Sequence, residues 1–240
     1  MTRCDTARLP VARPGAALTA LLDLLVPARC AGCGTGRGGL CTVCRTLLDG
    51  VHAGPAGPVR PPPDLPPLHA AATYAGPVRQ LLLAHKERGA LRLAAPLGGA
   101  LAAAVRSATG AGTAPLLLVP MPSARRATRA RGHDPTLRLA RAAARALHRG
   151  GVATLVAPVL RQIRPVADQA GLGAADRHRN LHGALAVPDR LAARLAGHRL
   201  VLVDDLVTTG ATLAEAARAL RAAGCPPRAA ATVAATARRN

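Results

Sequence analysis

Two adjacent carboxylates near the end of this sequence are followed by a turn rich in threonine and glycine. Residues 200–203 are all apolar, which predicts a short strand buried on both faces of a parallel sheet. Asp204 and Asp205 follow it, and residues 213–220 show helical spacing of apolar side chains. A turn of this kind directs N–H groups and hydroxyls at an anion, and the helix N-terminus adds its positive dipole end. The paired carboxylates suit the vicinal hydroxyls of a ribose, so the pattern predicts a site for a phosphorylated sugar.

The same residues also have a purely structural interpretation. A buried strand, a turn with two aspartates and a capped helix would account for them, since Thr212 and Glu215 fit a capping box. A nucleotide P-loop is excluded, because the sequence has no Gly-x-x-x-x-Gly-Lys-[Ser/Thr] pattern and no lysine near the turn. The run of matching positions is long for a motif, and this favours the phosphate site.

Residues 201–213 resemble the signature of the type I phosphoribosyltransferases, which bind 5-phosphoribosyl pyrophosphate (PRPP). The resemblance implies that Asp204 and Asp205 hold the ribose 2- and 3-hydroxyls during catalysis. It also implies that the loop after them binds the 5-phosphate. The loop residues concerned are Val207, Thr208, Thr209, Gly210, Ala211 and Thr212.

Four cysteines near the other end form two closely spaced pairs. Cys30 and Cys33 make one C-x-x-C knuckle, and Cys41 and Cys44 make the second, with glycines between them. Such spacing aims four thiolates at one Zn²⁺, and a site with four thiolates is structural because it leaves no open position. A redox C-x-x-C would need a neighbouring βαβ pattern, which is absent here, and disulfides are uncommon in the cytoplasm.

The composition divides the chain into four parts. Residues 1–17 are expected to form a flexible tail, and residues 18–53 a short helix plus the zinc ribbon. Residues 54–67 contain seven prolines and two glycines and are expected to be a linker. In residues 68–240, strands are expected at 68–74, 116–119, 155–160, 200–203 and 229–235, with helices between them. This alternation predicts an α/β domain with a mainly parallel sheet flanked by helices.

These parts together resemble the ComF family, phosphoribosyltransferase-like proteins associated with DNA uptake in naturally competent bacteria. The resemblance covers residues 18–233 and includes the cysteine ribbon and the acidic loop. Its other positions are Tyr74, Lys86, Pro120, Met121, Pro122, Arg131, Gly132, Arg164, Gln169, Leu172, Arg177, Asn180 and Gly183. The chain departs at His133-Asp134-Pro135, where the family usually has Phe-Asn-Gln, and at Val166 and Leu185, where Thr and Phe are usual.

The resemblance implies a displacement at C1 of the ribose. The bond between C1 and pyrophosphate breaks through an oxocarbenium-like state, and Mg²⁺ is expected to bind together with PRPP. Candidate PRPP-binding cations are Lys86, Arg125, Arg126, Arg131, Arg164 and Arg177. No pocket for the acceptor is recognisable. The protein is therefore a transferase with an unknown nitrogenous acceptor, a PRPP-binding regulator without turnover, or an accessory protein of DNA uptake.

The formal charge of +20 is consistent with a polyanionic partner and predicts weak, salt-sensitive DNA binding. Arginine-rich, lysine-poor composition also fits the coding bias of a GC-rich genome, which leaves many arginines as solvated surface. Tyr74 is the only aromatic residue and Lys86 the only lysine, so both are favoured for specific roles. No apolar run approaches the length of a membrane span, and no signal peptide is recognisable, so a cytoplasmic location is expected.

Overall fold

The computed structural model describes residues 29–35, 38–110, 114–123, 128–129, 131–164, 180–195 and 197–237. Several expectations lie outside these residues: the tail, the short helix before the cysteines, and the cations Arg125, Arg126 and Arg177. Within the described residues, no helix combines the length and the apolar character needed to cross a lipid bilayer.

The helices and strands alternate along most of the chain. The helices are α1 (Thr42–Thr46), α2 (Gly76–Glu87), α3 (Ala94–Thr109), α4 (Pro135–Arg149), α5 (Asp189–Ala192) and α6 (Ala211–Ala222), with a 3₁₀ turn at Leu91–Leu93. The strands are β1 (Gly54–Pro55), β2 (Leu68–Thr73), β3 (Leu116–Pro120), β4 (Thr154–Val156), β5 (Arg161–Gln162), β6 (Leu185–Ala186), β7 (Arg199–Val207) and β8 (Ala229–Ala235).

Six of these strands form one mixed sheet in the order β1-β2-β8-β7-β3-β4. All its pairs are parallel except β1 with β2. The carboxyl ends of β2, β8, β7, β3 and β4 therefore meet at one edge of the sheet, where ligands of open α/β sheets bind. This architecture confirms the predicted fold class of a mainly parallel sheet flanked by helices. Strands β5 and β6 form a separate antiparallel pair.

The sheet separates two apolar layers, and the alternation of side chains along β7 shows why. Val201 and Val203 point into one layer, while Leu200 and Leu202 point into the other. Helices α2, α3 and α4 pack in the first layer, and α6 packs in the second. The central strand is therefore buried on both faces, as its unbroken apolar run predicts.

Two strands differ in length from the sequence expectation. β7 continues past residue 203 to Val207, because β8 pairs beside it as far as the contact between Val207 and Ala235. β4 ends at Val156, because only three of its residues pair with β3. The acidic pair consequently lies within β7, and Asp204 pairs there with Thr232 of β8.

Candidate functional site

The acidic pair lies at the carboxyl edge of the sheet and contacts a distant lysine. The Lys86 Nζ lies 2.8 Å from Asp205 Oδ2, although the two residues are 119 positions apart. The Asp205 side chain is 8% exposed and that of Lys86 is 37% exposed. Asp204 is half-buried, and its Oδ1 accepts a hydrogen bond of 2.9 Å from the Asp205 backbone N–H. Lys86 is expected from the sequence to bind PRPP, and in this structure its direct partner is a carboxylate of the acidic pair.

The pKa values of Asp204 and Lys86 are shifted by their surroundings. Burial raises the pKa of Asp204 well above its ordinary value, and the charge of Asp205 adds to the shift. Burial alone lowers the pKa of Lys86, but the charge and hydrogen bond of Asp205 outweigh it, so the pKa lies above its ordinary value. Lys86 therefore stays protonated at neutral pH and neutralises Asp205.

The Thr/Gly loop leads from β7 into α6. Gly210 is the N-cap of α6 and has a φ of +74°, a left-handed conformation that favours glycine. Thr208 and Thr212 are exposed, and the Thr209 hydroxyl accepts a hydrogen bond of 3.4 Å from Ala211 N–H. The helix has no side-chain cap, so the capping box expected between Thr212 and Glu215 does not form. Apart from Ala211 N–H, the N-terminal N–H groups of α6 are thus left for a ligand or solvent.

Glu215 has another role, which sequence spacing did not indicate. Its buried carboxylate accepts a hydrogen bond of 3.0 Å from Leu185 N–H and pairs with both Arg218 Nε at 2.7 Å and Arg218 NH2 at 2.9 Å. Arg218 also donates to the Leu185 carbonyl at 3.1 Å. The bonds to Arg218 and Leu185 hold the pKa of Glu215 below its ordinary value although burial opposes them. This network fixes β6 to α6, the helix that follows the Thr/Gly loop.

Two other predicted PRPP-binding cations, Arg131 and Arg164, have described partners outside the acidic pair. Arg131 Nε lies 3.0 Å from Glu87 Oε2, one residue after Lys86 on α2. Arg164 donates to the backbone carbonyls of Asn180 and His182. The end of α2 therefore contacts both the acidic pair and the segment before α4, while Arg164 contacts the backbone just before β6.

Residues 133–135, where the chain differs from the sequence usual in the ComF family, form the start of α4. Asp134 is the N-cap, and its Oδ1 accepts hydrogen bonds from Leu137 N–H at 3.0 Å and from Ser123 Oγ at 2.9 Å. Pro135 occupies the first helical position, where a missing N–H costs nothing. Asp134 therefore ties α4 to the loop after β3. The sequence pattern alone did not indicate this role.

The four cysteine thiols converge as the knuckle spacing predicts. Their Sγ atoms all lie within 4.8 Å of one another, and those of Cys33 and Cys41 are 3.7 Å apart. Thiolates about 2.3 Å from a tetrahedral zinc are separated by about 3.8 Å. The Cys41 and Cys44 N–H groups point at the sulfurs of Cys30 and Cys41, at 3.4 and 3.5 Å. The donor set and its spacing fit Zn²⁺.

The same N–H groups affect thiol ionisation at this cluster. Burial tends to raise the pKa of Cys30, but hydrogen bonds from the backbone of Cys41, Cys33 and Gly32 hold it below its ordinary value. Burial, and then hydrogen bonding to the other three thiols, raises the pKa of Cys44. The favoured thiolate at Cys30 is the form that binds a metal.

Two clefts open at the carboxyl edge of the sheet, one on each side of β7. The β3 cleft has a volume of about 710 Å³ and is lined by Pro120, Pro122, Ser123, Asp134, Pro158, Leu160, Arg161, Gln162, Ile163 and Arg164. The Tyr74 cleft has a volume of about 490 Å³ and is lined by Gly57, Pro58, Val59, Tyr74, Thr208, Thr236 and Ala237. The acidic pair lies on the strand between them.

Comparison with known proteins identifies the region that carries the acidic loop. The family model described as "Phosphoribosyl transferase domain" matches residues 138–240. None of the curated proteins compared with this chain matches it. The chain thus contains a phosphoribosyltransferase domain and, outside the matched region, a four-cysteine cluster. A domain of this type supports a transferase activity that uses PRPP in general terms.

Proposed function

We propose that this protein binds PRPP at the loop 204–212 and transfers its phosphoribosyl group to a nitrogenous acceptor. The observation that carries the proposal is the position of Asp204 and Asp205 near the end of β7, which leads through the Thr/Gly loop into the N-terminus of α6, inside the region matched by the family model. The 5-phosphate binds the N–H groups and hydroxyls of Thr208, Thr209, Gly210 and Thr212. The ribose hydroxyls donate to the two aspartates, which places C1 at the carboxyl edge of the sheet.

Binding requires Asp205 to exchange one partner for another. Lys86 holds Asp205 Oδ2 in this structure, and a ribose hydroxyl would take that position. The displaced ammonium then becomes available for the negatively charged pyrophosphate. Because α2 ends one residue later at Glu87 and is tied there to Arg131, Lys86 moves only through its flexible side chain.

The transfer breaks the bond between C1 and the pyrophosphate oxygen, whose electron pair leaves with pyrophosphate. The nitrogen lone pair of the acceptor forms the new bond to C1, and its proton is lost to solvent. Carboxylate oxygens suit Mg²⁺. Asp204 and Asp205 would act on a bound Mg²⁺ indirectly, through the ribose hydroxyls that they hold. Mg²⁺ bound together with PRPP would supply positive charge to the leaving group. The neighbouring residues fix the ribose and exclude water from C1.

One finer hypothesis concerns the family, and two alternatives concern the activity. The combination of a four-cysteine cluster and a phosphoribosyltransferase domain is the arrangement of the ComF family, and we propose membership on that basis. A PRPP-binding regulator without turnover and a DNA-uptake accessory protein are the alternatives. Release of pyrophosphate that depends on an added acceptor supports the transferase, whereas PRPP binding without release supports the regulator.

Calorimetric titration of PRPP with Mg²⁺ into three proteins tests the site. Asp205→Asn should weaken binding about ten- to a hundredfold, because it removes a charge-assisted hydrogen bond to a ribose hydroxyl. Asp189→Asn is the matched control, since Asp189 is exposed on α5, and its affinity should equal that of the wild type. The proposal is wrong if the wild type shows no binding at millimolar PRPP, or if all three proteins bind alike.

A further inference from the structure

The proline-rich segment 54–67, expected to be a linker, packs against the loop 204–212, called the phosphate loop below. Gly54 and Pro55 pair with β2, and Ala56 N–H donates to the Leu68 carbonyl at 2.8 Å. A Cβ on Gly210 would lie 3.0 Å from a Leu65 methyl group. The segment is also tied to α6 by Arg221, which lies 2.8 Å from Asp64. Residues 54–67 therefore form one wall of the site, and a side chain at residue 210 would meet this wall.

The Tyr74 cleft lies between this wall and the ends of three strands. Tyr74 N–H donates to the Ala235 carbonyl at 2.7 Å, and Thr236 N–H donates to the Val207 carbonyl at 3.1 Å. These bonds join the ends of β2, β8 and β7 directly beside Thr208. A ligand in the cleft would thus touch the phosphate loop and the only aromatic side chain of the protein.

The positions of the two clefts suit a displacement at C1. The β3 cleft lies on the β3 and β4 side of the acidic pair, and the Tyr74 cleft lies on the β2 and β8 side. A nucleophile attacks an anomeric carbon on the face opposite to the one from which the leaving group departs. Pyrophosphate has charged and polar partners in the β3 cleft, where Arg161 and Ser123 line the wall. The opposite cleft is left for the acceptor.

We propose that the acceptor binds in the Tyr74 cleft and is an uncharged, planar nitrogen heterocycle that stacks on Tyr74. The inference rests on the proposed transferase function. Among the described lining residues none is charged, while Pro58 and Val59 supply apolar surface and Thr236 supplies a hydroxyl. A carboxylate would lose its hydration there without a described cation to replace it. A flat ring with hydrogen-bonding edges finds both an aromatic face and a hydroxyl partner.

The fluorescence of Tyr74 provides a direct test, because the chain has one tyrosine and no tryptophan. The wild type, saturated with PRPP and Mg²⁺, is titrated with adenine, cytosine, benzimidazole, nicotinate and anthranilate, and pyrophosphate release is followed in parallel. We expect at least one of the three uncharged heterocycles to quench Tyr74 saturably and to release pyrophosphate. Quenching only by the two carboxylates, or by no compound at millimolar concentration, overturns the proposal.

Variants then separate stacking from a general loss of structure. Tyr74→Leu should raise the KM of the active heterocycle roughly fivefold or more, while Tyr74→Phe keeps it near the wild-type value. Val59→Asp places a charge in the cleft and should have a similar effect. Val51→Asp is its matched control, because Val51 is also exposed and does not line the cleft.

Calorimetric titration of PRPP into every variant distinguishes a defect in the acceptor cleft from a defect in the PRPP site. If the wild type and the Tyr74 variants bind PRPP equally, a loss of heterocycle turnover belongs to the acceptor cleft and supports the inference. An unchanged KM in both Tyr74→Leu and Val59→Asp contradicts it. If the wild type does not bind PRPP at all, the proposed function itself is wrong.

Discussion

His85 is a buried imidazole next to the lysine that holds the acidic pair. The residue is 1% exposed, and within the described residues its Nε2 has no hydrogen-bond partner. His133 meets it edge to face, with ring centroids 6.1 Å apart. Burial lowers the pKa of His85 to about 4, and the charges of His133, Arg138 and Lys86 act in the same direction against an opposing effect of Asp205. His85 is therefore neutral in the folded protein at neutral pH.

This predicts an acid-sensitive fold. An unfolded histidine titrates near pH 6.5, so the unfolded chain takes up a proton before folded His85 does, and stability present above pH 6.5 is lost as the pH falls towards 4. Between about pH 7 and about pH 4.5 the loss from this residue is about 2 to 3 kcal/mol. Denaturant unfolding at both pH values measures it. Asp204, whose pKa is raised, contributes with the opposite sign and is common to all variants.

His85→Leu should remove most of this pH dependence, while His148→Leu should leave it unchanged because His148 is exposed. Equal slopes of stability against pH in His85→Leu and the wild type would falsify the assignment. The comparison between the variants isolates His85 from the carboxylates that titrate over the same range.

Individual side chains show what the sequence alone could indicate. Lys86 was favoured because it is the only lysine, yet its contact with Asp205 depends on α2 lying beside β7, which no local pattern encodes. Glu215 fits a capping box by spacing, but its carboxylate instead satisfies the buried N–H of Leu185. In both cases the residue was singled out and its partner was not, because partners distant in sequence are set by tertiary packing.

Helices and strands were predicted more successfully than their contacts. The apolar periodicity predicts helices where the structure has α2, α3, α4 and α6, and the apolar runs predict strands where it has β3, β7 and β8. The segment 54–67 was expected to be a linker because seven prolines prevent regular structure. Proline restricts the backbone of a segment but does not prevent it from packing, and Pro62 contacts the Gly210 region. The domain limits assigned from composition stay predictions.

The contact between α3 and α4 yields a prediction for two adjacent glycines. A Cβ on Gly98 would lie 2.4 Å from Ala142 Cβ and 2.9 Å from backbone, whereas a Cβ on Gly99 meets nothing within 4 Å. Gly98→Ala should therefore destabilise the protein by about 1 to 3 kcal/mol through overpacking. Gly99→Ala should stabilise it by up to about 1 kcal/mol through helix propensity. Denaturant unfolding of both variants checks the opposite signs, and two changes of the same sign would mean that the helices are not this close.

In the folded chain, the cysteine cluster is part of the main apolar core. Cys30, Cys44 and Leu48 belong to the same buried apolar layer as Leu81 of α2. A Cβ on Gly32 would lie 2.9 Å from Cys44 Sγ and 3.2 Å from Leu81 Cγ, so the first knuckle packs directly on the helix that carries Lys86. Spacing predicted the cluster itself, but a proline-rich connection suggested that it would be independent of the sheet.

Loss of zinc should therefore destabilise the whole protein and not only the ribbon. Protein purified without added metal should contain about one equivalent of zinc. Cys44→Ser should lose that zinc and lower the melting temperature by roughly 5 °C or more, because an uncoordinated knuckle no longer packs on α2. Cys225→Ser is the matched control, since Cys225 is buried outside the cluster, and its zinc content should be unchanged. If a chelator removes the zinc and the melt of the sheet stays at its original temperature, the ribbon is energetically separate and α2 is held in place by the sheet alone.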